Sequence, residues 1–395
     1  MKILRFSLLI MICLVSTALV QAQNDPDDDK VNQFSPLNTA VPSLSIAPDA
    51  RGGAMGDNGA STLPDIASQY WNPAKYAFME SKAGVGLSYT PWMRKLVSDI
   101  ALAYLSGYYK LGPNDNHAIG ASLRYFSLGQ VPLTDIGGNN YYNLNPYEMS
   151  VDFGYNIKLN DGLSIGAALR YIRSDMGDNV DNELQPGNAV AADLSAYGEK
   201  YFMLGTSECL WSAGLNISNI GTKISYDGGT TNQFIPTNLR IGTGLLMPLD
   251  EYNQLGIYLD LNKYLVPSKP IRANSIDDET YEKRYDEYNT MNPIVGMLKS
   301  FSDAPGGASE EWKEVNISVA AEYNYNSQFF VRGGYFYENE MKGNRQYFSF
   351  GAGLKMNVFS LDAAYLISTV QSNPLDQTLR FTLSFDMDGL RGLFQ

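Results

Sequence analysis

Apolar and polar residues alternate along much of this chain with a period of two. In 315–325, 149–159 and 379–386 every second residue is apolar, and the residues between them are small, polar or charged. Segments of about ten residues are long enough for a tilted β-strand to cross a bilayer with one face toward lipid. The pattern therefore predicts membrane-spanning strands.

The same pattern, followed from residue 82 onward, predicts fourteen strands. They are expected near 82–90, 99–111, 117–128, 148–159, 163–173, 188–202, 210–218, 237–248, 254–265, 314–325, 329–338, 346–357, 358–369 and 378–387. Tight turns are expected at 112–116, 160–162, 205–208, 249–253, 326–328 and Asn357. The alternate connections are mostly long: 129–147, 174–187, 219–236 and 266–313, then the shorter 339–345 and 370–377.

Short turns on one rim and long loops on the other are typical of bacterial outer-membrane barrels, in which the short turns face the periplasm. We therefore predict an all-β membrane protein whose residues 81–395 form a 14-stranded antiparallel barrel, with 266–313 as a long extracellular loop. A soluble β-sandwich is the alternative, but it would bury its apolar face and would seldom keep strands this long.

The N-terminal residues are typical of an exported protein. Lys2 and Arg5 precede an apolar run, and small residues before Gln23 offer a cleavage site, so 1–22 is predicted to be a signal peptide. Its removal lowers the formal net charge from −13 to −15, which argues against a nucleic-acid partner. Residues 23–48 are expected to be a mobile periplasmic segment. Cys209 is then the single cysteine, and we expect it to be structural.

Candidate catalytic and metal-binding residues are few. His117 is the only histidine, and we predict no catalytic role for it in its expected periplasmic turn. The acidic run at 25–29 lacks the spacing of a calcium loop. We therefore predict no enzyme, cofactor or metal site, although a hydrolase that uses carboxylates stays open.

The strands also carry ionisable residues at alternating positions that should point into the lumen. Charges buried in a filled lumen must be paired, so we expect the arginines to bind acidic side chains and carbonyl groups of the glycine-rich segment 49–80; the lining of a transport path is the alternative. The residues concerned are Arg124, Asp152, Arg170, Asp193, Arg240, Asp260, Glu322, Arg332, Asp362 and Arg380.

The segment 49–80 precedes the first strand and is rich in glycine and alanine. We predict that it packs inside the barrel as a plug that enters from the periplasmic side. The pattern resembles the amino-terminal hatch of FadL-type fatty-acid transporters, which ends in a similar Asn-Pro-Ala turn. The hatch residues implied by this resemblance are Arg51, Gly52, Met55, Gly56, Trp71, Asn72 and Pro73.

A narrower resemblance covers most of the chain from about Pro48. The hatch, the stretch Tyr89-Thr90-Pro91-Trp92 and the strand segments "ASLRYFSLG" and "ALRYIRSDMG" are similar to the PorV (LptO) family of the type IX secretion system. This resemblance implies a carrier in the outer membrane of Bacteroidota that receives cargo from a SprA-type translocon and recognises its carboxy-terminal signal domain. It also implies delivery of the cargo to a PorU-type sortase complex. A FadL-like transporter of hydrophobic molecules and a lipid A deacylase are the alternatives.

The loop 266–313 is the largest expected surface for a partner. It holds an acidic and aromatic run at 277–288, then 293–301, which can form a short amphipathic helix. Contact with cargo or another partner and packing of the loop as a lid on its own barrel both remain open. The contact residues that we predict are Tyr281, Tyr285, Tyr288, Met297 and Phe301, with Tyr141 and Tyr142 in the loop 129–147.

Overall fold

A computed structural model of the chain describes residues 35–93, 97, 99–134, 137, 140–177, 185–270, 277–370 and 375–387. The predicted signal peptide, the acidic run at 25–29 and the side chain of Tyr141 lie outside the described residues.

Within the described part of the chain, fourteen strands form one closed antiparallel barrel, which confirms the predicted fold. Each strand pairs with its neighbours in sequence, except that the strand His117–Leu128 pairs with Tyr147–Asn160. The first strand, Ala83–Pro91, pairs with the last, Leu379–Asp386, and this pairing closes the ring. The barrel strands are β1 Ala83–Pro91, β2 Ile100–Leu111, β3 His117–Leu128, β6 Tyr147–Asn160, β7 Leu163–Asp175, β8 Gly187–Leu204, β9 Ser207–Gly221, β10 Asn238–Pro248, β11 Asn253–Tyr264, β12 Val315–Tyr325, β13 Phe329–Tyr337, β14 Gln346–Lys355, β15 Phe359–Ser368 and β16 Leu379–Asp386.

The alternation in sequence becomes an inner and an outer surface. In β1, Gly84 and Ser88 are buried toward the lumen, whereas Val85, Leu87 and Tyr89 are exposed on the outside. The other barrel strands repeat this arrangement, so the barrel presents large apolar side chains around its wall, as lipid requires. No helix among the described residues is long and apolar enough to span a membrane.

Two features of the fold differ from the prediction. The loop 129–147 contains a small separate hairpin of β4 Val131–Thr134 and β5 Asn140–Leu144. The hairpin of β8 and β9 is also longer than predicted, because its strands continue to Leu204 and begin again at Ser207. The other predicted strands match the observed ones to within a few residues.

Residues 35–48, which we call the strap, are neither mobile nor at the short-turn rim, so that prediction is wrong for this stretch. The backbone N–H of Ser35 donates to Met341, and that of Ala40 donates to Phe234; both acceptors lie in loops at the long-loop rim. Val41 and Leu44 are buried against inward-facing side chains of the barrel wall. The strap therefore runs inside the lumen on the outer side of the plug.

The orientation of the barrel can be measured in intact cells. Tyr142→Cys lies in a long loop and Asp161→Cys in a short turn, and both positions are exposed. An impermeant thiol reagent should label the first and leave the second unlabelled until the outer membrane is permeabilised, because short turns face the periplasm. Equal labelling of both cysteines in intact cells would contradict this orientation.

Candidate functional site: the plugged lumen and the outer loops

Residues 49–78 fold into short helices inside the barrel and form the predicted plug. Helix α1 (Ala50–Ala54) begins where Asp49 Oδ2 accepts the N–H of Gly52 at 2.8 Å. Helix α2 (Ser68–Trp71) leads into a 3-10 helix, Pro73–Phe78, which Asn72 caps by accepting the N–H of Ala74. Proline at the first position of that helix loses no hydrogen bond, which explains the Asn-Pro-Ala turn.

The indole of Trp71 organises the plug. Its Nε1 donates to Asp49 Oδ1 at 2.7 Å. A Cβ on Gly52 or on Gly59 would lie only 2.4 or 2.3 Å from the ring. These two positions must therefore be glycine for the chain to fold around the tryptophan.

Glycines of the barrel wall receive the plug in the same way. A Cβ on Gly334 would lie 2.2 Å from the carbonyl carbon of Met55, and one on Gly214 would lie 1.9 Å from the carbonyl oxygen of Ala60. Gly56 has a positive φ of 65° and lies against the backbone of Tyr335. The plug and the wall are in backbone contact at these points, so their shapes are complementary.

This contact makes a matched pair of substitutions informative. Gly334→Ala should displace the plug, whereas Gly333→Ala should not, because the nearest atom to a Cβ there is 3.8 Å away. We expect faster tryptic cleavage of the plug in the first variant and wild-type cleavage in the second. Equal cleavage rates would show that the plug does not depend on this contact.

Buried ion pairs fix the plug to the wall, as the inward ionisable residues predict. Arg51 of the plug pairs with Glu322 at 3.0 Å and with Asp65 at 2.9 Å, and Arg332 joins the same Glu322 at 2.6 Å. On the other side Arg380 of the wall pairs with Asp57 of the plug at 2.9 Å. Removing one partner of such a buried pair costs about 3–5 kcal/mol, so these contacts hold one arrangement of plug and wall.

Backbone groups of the plug and of the strap complete the network. Asp260 accepts the N–H groups of Gly59 and Ala60, each at 2.8 Å. Arg124 donates to the carbonyl groups of Ser43 and Ile46 in the strap. Lys75, which the sequence did not single out, is fully buried and donates to the carbonyl of Gly59 and to Thr62 Oγ1. Arg170, Arg332 and Arg380 thus have the predicted acidic partners. Arg240 binds Asn262 Oδ1 instead, and the carbonyl groups that Arg124 binds belong to the strap and not to the plug.

A cavity of about 750 Å³ remains on the outer side of the plug. The strap lines one side of it through Pro36 and Leu37, and aromatic side chains line another. The guanidinium groups of Arg345 and Arg380 also border it. The cavity is bounded by the strap, the plug and the long-loop rim.

In its described residues, 266–270 and 277–313, the loop 266–313 contains three helices: α3 Asp278–Thr290, α4 Pro293–Lys299 and α5 Ala308–Lys313. Helix α4 is the predicted amphipathic helix, whereas α3 was not predicted. Tyr288 is only 8% exposed and packs edge-on against Phe234 of the neighbouring loop. Tyr288 therefore holds the loop on the barrel instead of facing a partner, which corrects its predicted role.

The apolar side of α4 is not covered by the barrel. Gly296 packs on Phe234 and Pro267, but Ile294, Val295 and Leu298 are exposed, Leu298 to 65%. Phe301, just after the helix, is also exposed, whereas Met297 is half-buried. The loop is thus fixed to the barrel by one side and presents an apolar row on the other.

The remaining predicted contact tyrosines lie in two places. Tyr281 and Tyr285 of α3 stack on each other with ring centroids 6.0 Å apart and are half-buried. Tyr142 is exposed on β5. Trp312 of α5 is exposed too and was missed, because a single tryptophan in an acidic sequence carries no pattern.

Charged residues fasten the end of this loop. Lys263 pairs with Glu311 at 2.9 Å and with Glu314 at 2.5 Å, and Lys342 pairs with Glu310 and Glu314. Asp303 Oδ2 accepts the N–H of Ser268, which joins the two limbs of the loop. Oδ1 of Asp303 has no hydrogen-bond partner among the described residues.

The Asp303 carboxyl should make the foot of the loop sensitive to pH. Burial, helped by Glu311 and Glu314, raises the pKa of Asp303 to about 7, although the N–H of Ser268 and Lys263 oppose the shift. Because this pKa lies above the unfolded value of 3.8, the stabilisation by the protonated form is full below about pH 4 and is lost as pH rises to about 7. Hydrogen exchange of the amides near Ser268, corrected for intrinsic rates, should therefore speed up from about pH 4 to about pH 7 and then level off. Asp303→Asn should abolish this change, and persistence of it in the variant would contradict the assignment.

The arrangement of the single histidine and of a candidate serine does not match that of a serine hydrolase. His117 Nδ1 lies 2.7 Å from the hydroxyl of Tyr155 on the outer surface of the wall. Gly162–Gly166 matches the Gly-x-Ser-x-Gly pattern, but Ser164 points inward from β7 and donates to the carbonyl of Ala74. Histidine and serine thus lie on opposite faces of the wall, and no strand-turn-helix elbow presents the serine. Among the described residues, no cluster of three or more His, Cys, Asp or Glu could hold a metal ion.

A closed barrel with an apolar outer wall, a lumen filled by an N-terminal plug and long loops on one rim defines an integral outer-membrane protein. The chain belongs to the PorV family, because the family model described as type IX secretion system protein PorV matches residues 29–271, more than half of the chain. The protein is therefore a PorV-family component of type IX secretion in the outer membrane.

The solved structures that match this chain are distant from it in sequence. The toluene transporter TbuX of Ralstonia pickettii is 12% identical, with 86% of this chain and 97% of that chain covered and a TM-score of 0.43. A FadL homologue of Pseudomonas aeruginosa is 12% identical, with 89% and 99% covered and a TM-score of 0.41. The toluene transporter TodX of Pseudomonas putida is 11% identical, with 89% of this chain and 98% of that chain covered and a TM-score of 0.46. No curated protein matches the chain.

Proposed function

We propose that this protein is a carrier that takes secreted proteins from the translocon, holds their carboxy-terminal signal domain with its outer loops and delivers them to the sortase complex at the cell surface. The expected partners are the cargo signal domain, a SprA-type translocon and a PorU-type attachment complex, within the lipid of the outer membrane. Membership of the PorV family supports a role in secretion.

The observation that supports this proposal most directly is the exposed apolar row of Ile294, Val295, Leu298 and Phe301. Exposed apolar patches on otherwise polar surfaces mark binding sites for other proteins. Because Tyr288 and Gly296 already fix the loop to the barrel, the row is presented without the entropy cost of ordering a mobile segment. These features favour contact with a partner over the alternative of a lid.

The plugged lumen favours a carrier over a channel. The plug touches the wall through backbone contacts at Gly214 and Gly334 and through buried ion pairs. We infer that the barrel serves as an anchor in the membrane, with the work done by its outer surface. Because His117 and Ser164 face opposite sides of the wall, the site does not favour an enzyme.

Deletion of the gene tests the proposal against both alternatives. A carrier predicts that cargo with uncleaved signal domains accumulates in the periplasm, with normal lipid A and normal fatty-acid uptake. A fatty-acid transporter predicts lost uptake with normal secretion, and a lipid A deacylase predicts altered lipid A acylation, seen by mass spectrometry, with normal secretion. Normal display of cargo at the cell surface would overturn the carrier proposal.

A further inference from the structure

The hairpin of β8 and β9 is unlike the other short turns of the barrel. Pairing of β8 with β7 ends at Gly198 opposite Leu163, with one last hydrogen bond from the N–H of Glu199 to Gly162. Pairing of β8 with β9 continues to Leu204 opposite Ser207. Residues 200–204 therefore have a strand partner on one side and, in the described part of the chain, none on the other.

The direction of the free backbone groups follows from the ladder. The N–H of Glu199 points toward β7, and alternate residues of a strand point to the same side. The N–H and C=O groups of Tyr201 and Met203 therefore face the open edge. This edge offers the pattern of donors and acceptors that another strand would pair with.

The side chains at this edge are apolar on both faces of the hairpin. Tyr201, Phe202, Met203 and Leu204 are between 37% and 62% exposed, although elsewhere in β8 the lumen-facing residues are buried. An open sheet edge does not occur in hydrocarbon, because its backbone groups would lose their hydrogen bonds. The tip of the hairpin must therefore lie beyond the hydrocarbon at the short-turn rim, which faces the periplasm.

Charges around the edge favour one kind of partner. Partial burial, and after it the carboxylates of Glu199, Glu208 and Glu80, raise the pKa of the Tyr201 hydroxyl. Among the cations of this rim, Lys200 is exposed, Lys158 lies over the ring of Phe78 at 4.5 Å, and Lys110 donates to the carbonyl of Met79. The charges that act on Tyr201 itself are acidic, which complements a basic partner.

We propose that the β8 edge at residues 199–204 is a docking site for an extended, basic segment of a periplasmic protein, which adds to the sheet as a further strand. Main-chain hydrogen bonds to Tyr201 and Met203 supply the affinity, and the apolar side chains and the carboxylates select a segment in which apolar and basic residues alternate. The site lies at the opposite rim from the proposed cargo surface.

Binding of synthetic peptides to the purified full-length protein in lipid nanodiscs tests the site. The probe is a fluorescent ten-residue peptide of alternating Val and Lys, and the control is its Val and Glu counterpart. Met203→Pro removes the edge N–H without touching the β9 ladder and keeps every charge, so it should weaken binding of the basic probe by about ten-fold or more. Met203→Ala keeps the N–H and removes only side-chain contacts, so it should weaken binding less than Met203→Pro does.

Disulfide trapping gives a second measurement that does not depend on the fold of the proline variant. A probe that carries one cysteine should cross-link to Met203→Cys and should not cross-link to Leu169→Cys, which is exposed on the lipid face of the wall. Equal binding of the basic and acidic peptides, unchanged binding to Met203→Pro together with trapping at Leu169→Cys, or binding no stronger than to empty nanodiscs would overturn the proposal. So would a dimer of this chain joined through Met203→Cys, because it would show that a second copy covers the edge.

Discussion

Deletion of residues 35–78 should turn a protein that conducts little into an open pore. A barrel of this size encloses a lumen that side chains of the wall do not fill, and here the strap and the plug occupy it. Planar bilayers should show steady conductance for the deletion variant, and cells that carry it should become sensitive to large antibiotics. The barrel strands should still fold, since their pairing involves no residue before Ala83.

A variant with residues 277–301 replaced by a Gly-Ser linker is the matched control. It also changes a long segment, but one outside the lumen, so it should conduct as little as the intact protein. Steady conductance of the intact protein, or closed behaviour of the 35–78 deletion, would show that the segment is not what seals the barrel.

The double substitution Leu298→Glu and Phe301→Glu should abolish capture of cargo or of the sortase complex. It places two charges in the exposed apolar row and leaves Tyr288 and Gly296 to hold the loop. Truncation of central contact residues commonly costs about 2 kcal/mol or more, which corresponds to roughly 30-fold weaker binding. Co-purification of cargo and of the sortase complex with the tagged protein measures the effect.

Lys299→Glu is the matched control, because it changes the charge of the same helix beside the apolar row. Capture should persist in this variant. If capture survives the double substitution as well, the contact lies in another loop, and Tyr142 on β5 becomes the next position to change.

The membrane explains why most of the fold could be predicted from sequence. Lipid on one side and a polar lumen on the other require every strand to alternate apolar and polar residues. The polarity of a residue such as Val85 or Ser88 therefore predicts which face of the wall it lies on. The inward ion pairs followed from the same alternation, because a charge such as Glu322 in a spanning strand has only the lumen to face.

The parts that were not predicted depend on contacts distant in sequence or lack a periodic pattern. The strap is held by Arg124 and Glu148, about a hundred residues away, so nothing within 35–48 indicates its place. Helix α3 has only a weak stripe on one face, made of the tyrosines Tyr281, Tyr285 and Tyr288. Its clearest local signal is Asp277, which accepts the N–H of Thr280 as an N-cap. In sequence Tyr288 looked like its half-buried neighbours Tyr281 and Tyr285, because its burial depends on Phe234 from another loop.

The seam between β1 and β16 constrains the order in which this molecule can be assembled. Residues 35–78 run through the ring that this seam closes, and the strap reaches the long-loop rim. Side chains of the wall bind the plug on the way: Asp260 accepts the N–H of Ala60, and Arg380 pairs with Asp57. If the ring closed first, the free N-terminal end of the segment would have to pass through the lumen, between the inward-facing side chains, to reach the far rim. Threading is avoided when residues 35–78 pack against the inner wall while the first and last strands are still apart. We infer that β1 and β16 pair after the segment has packed; the pairing itself involves no residue before Ala83, so a barrel without the segment can still close.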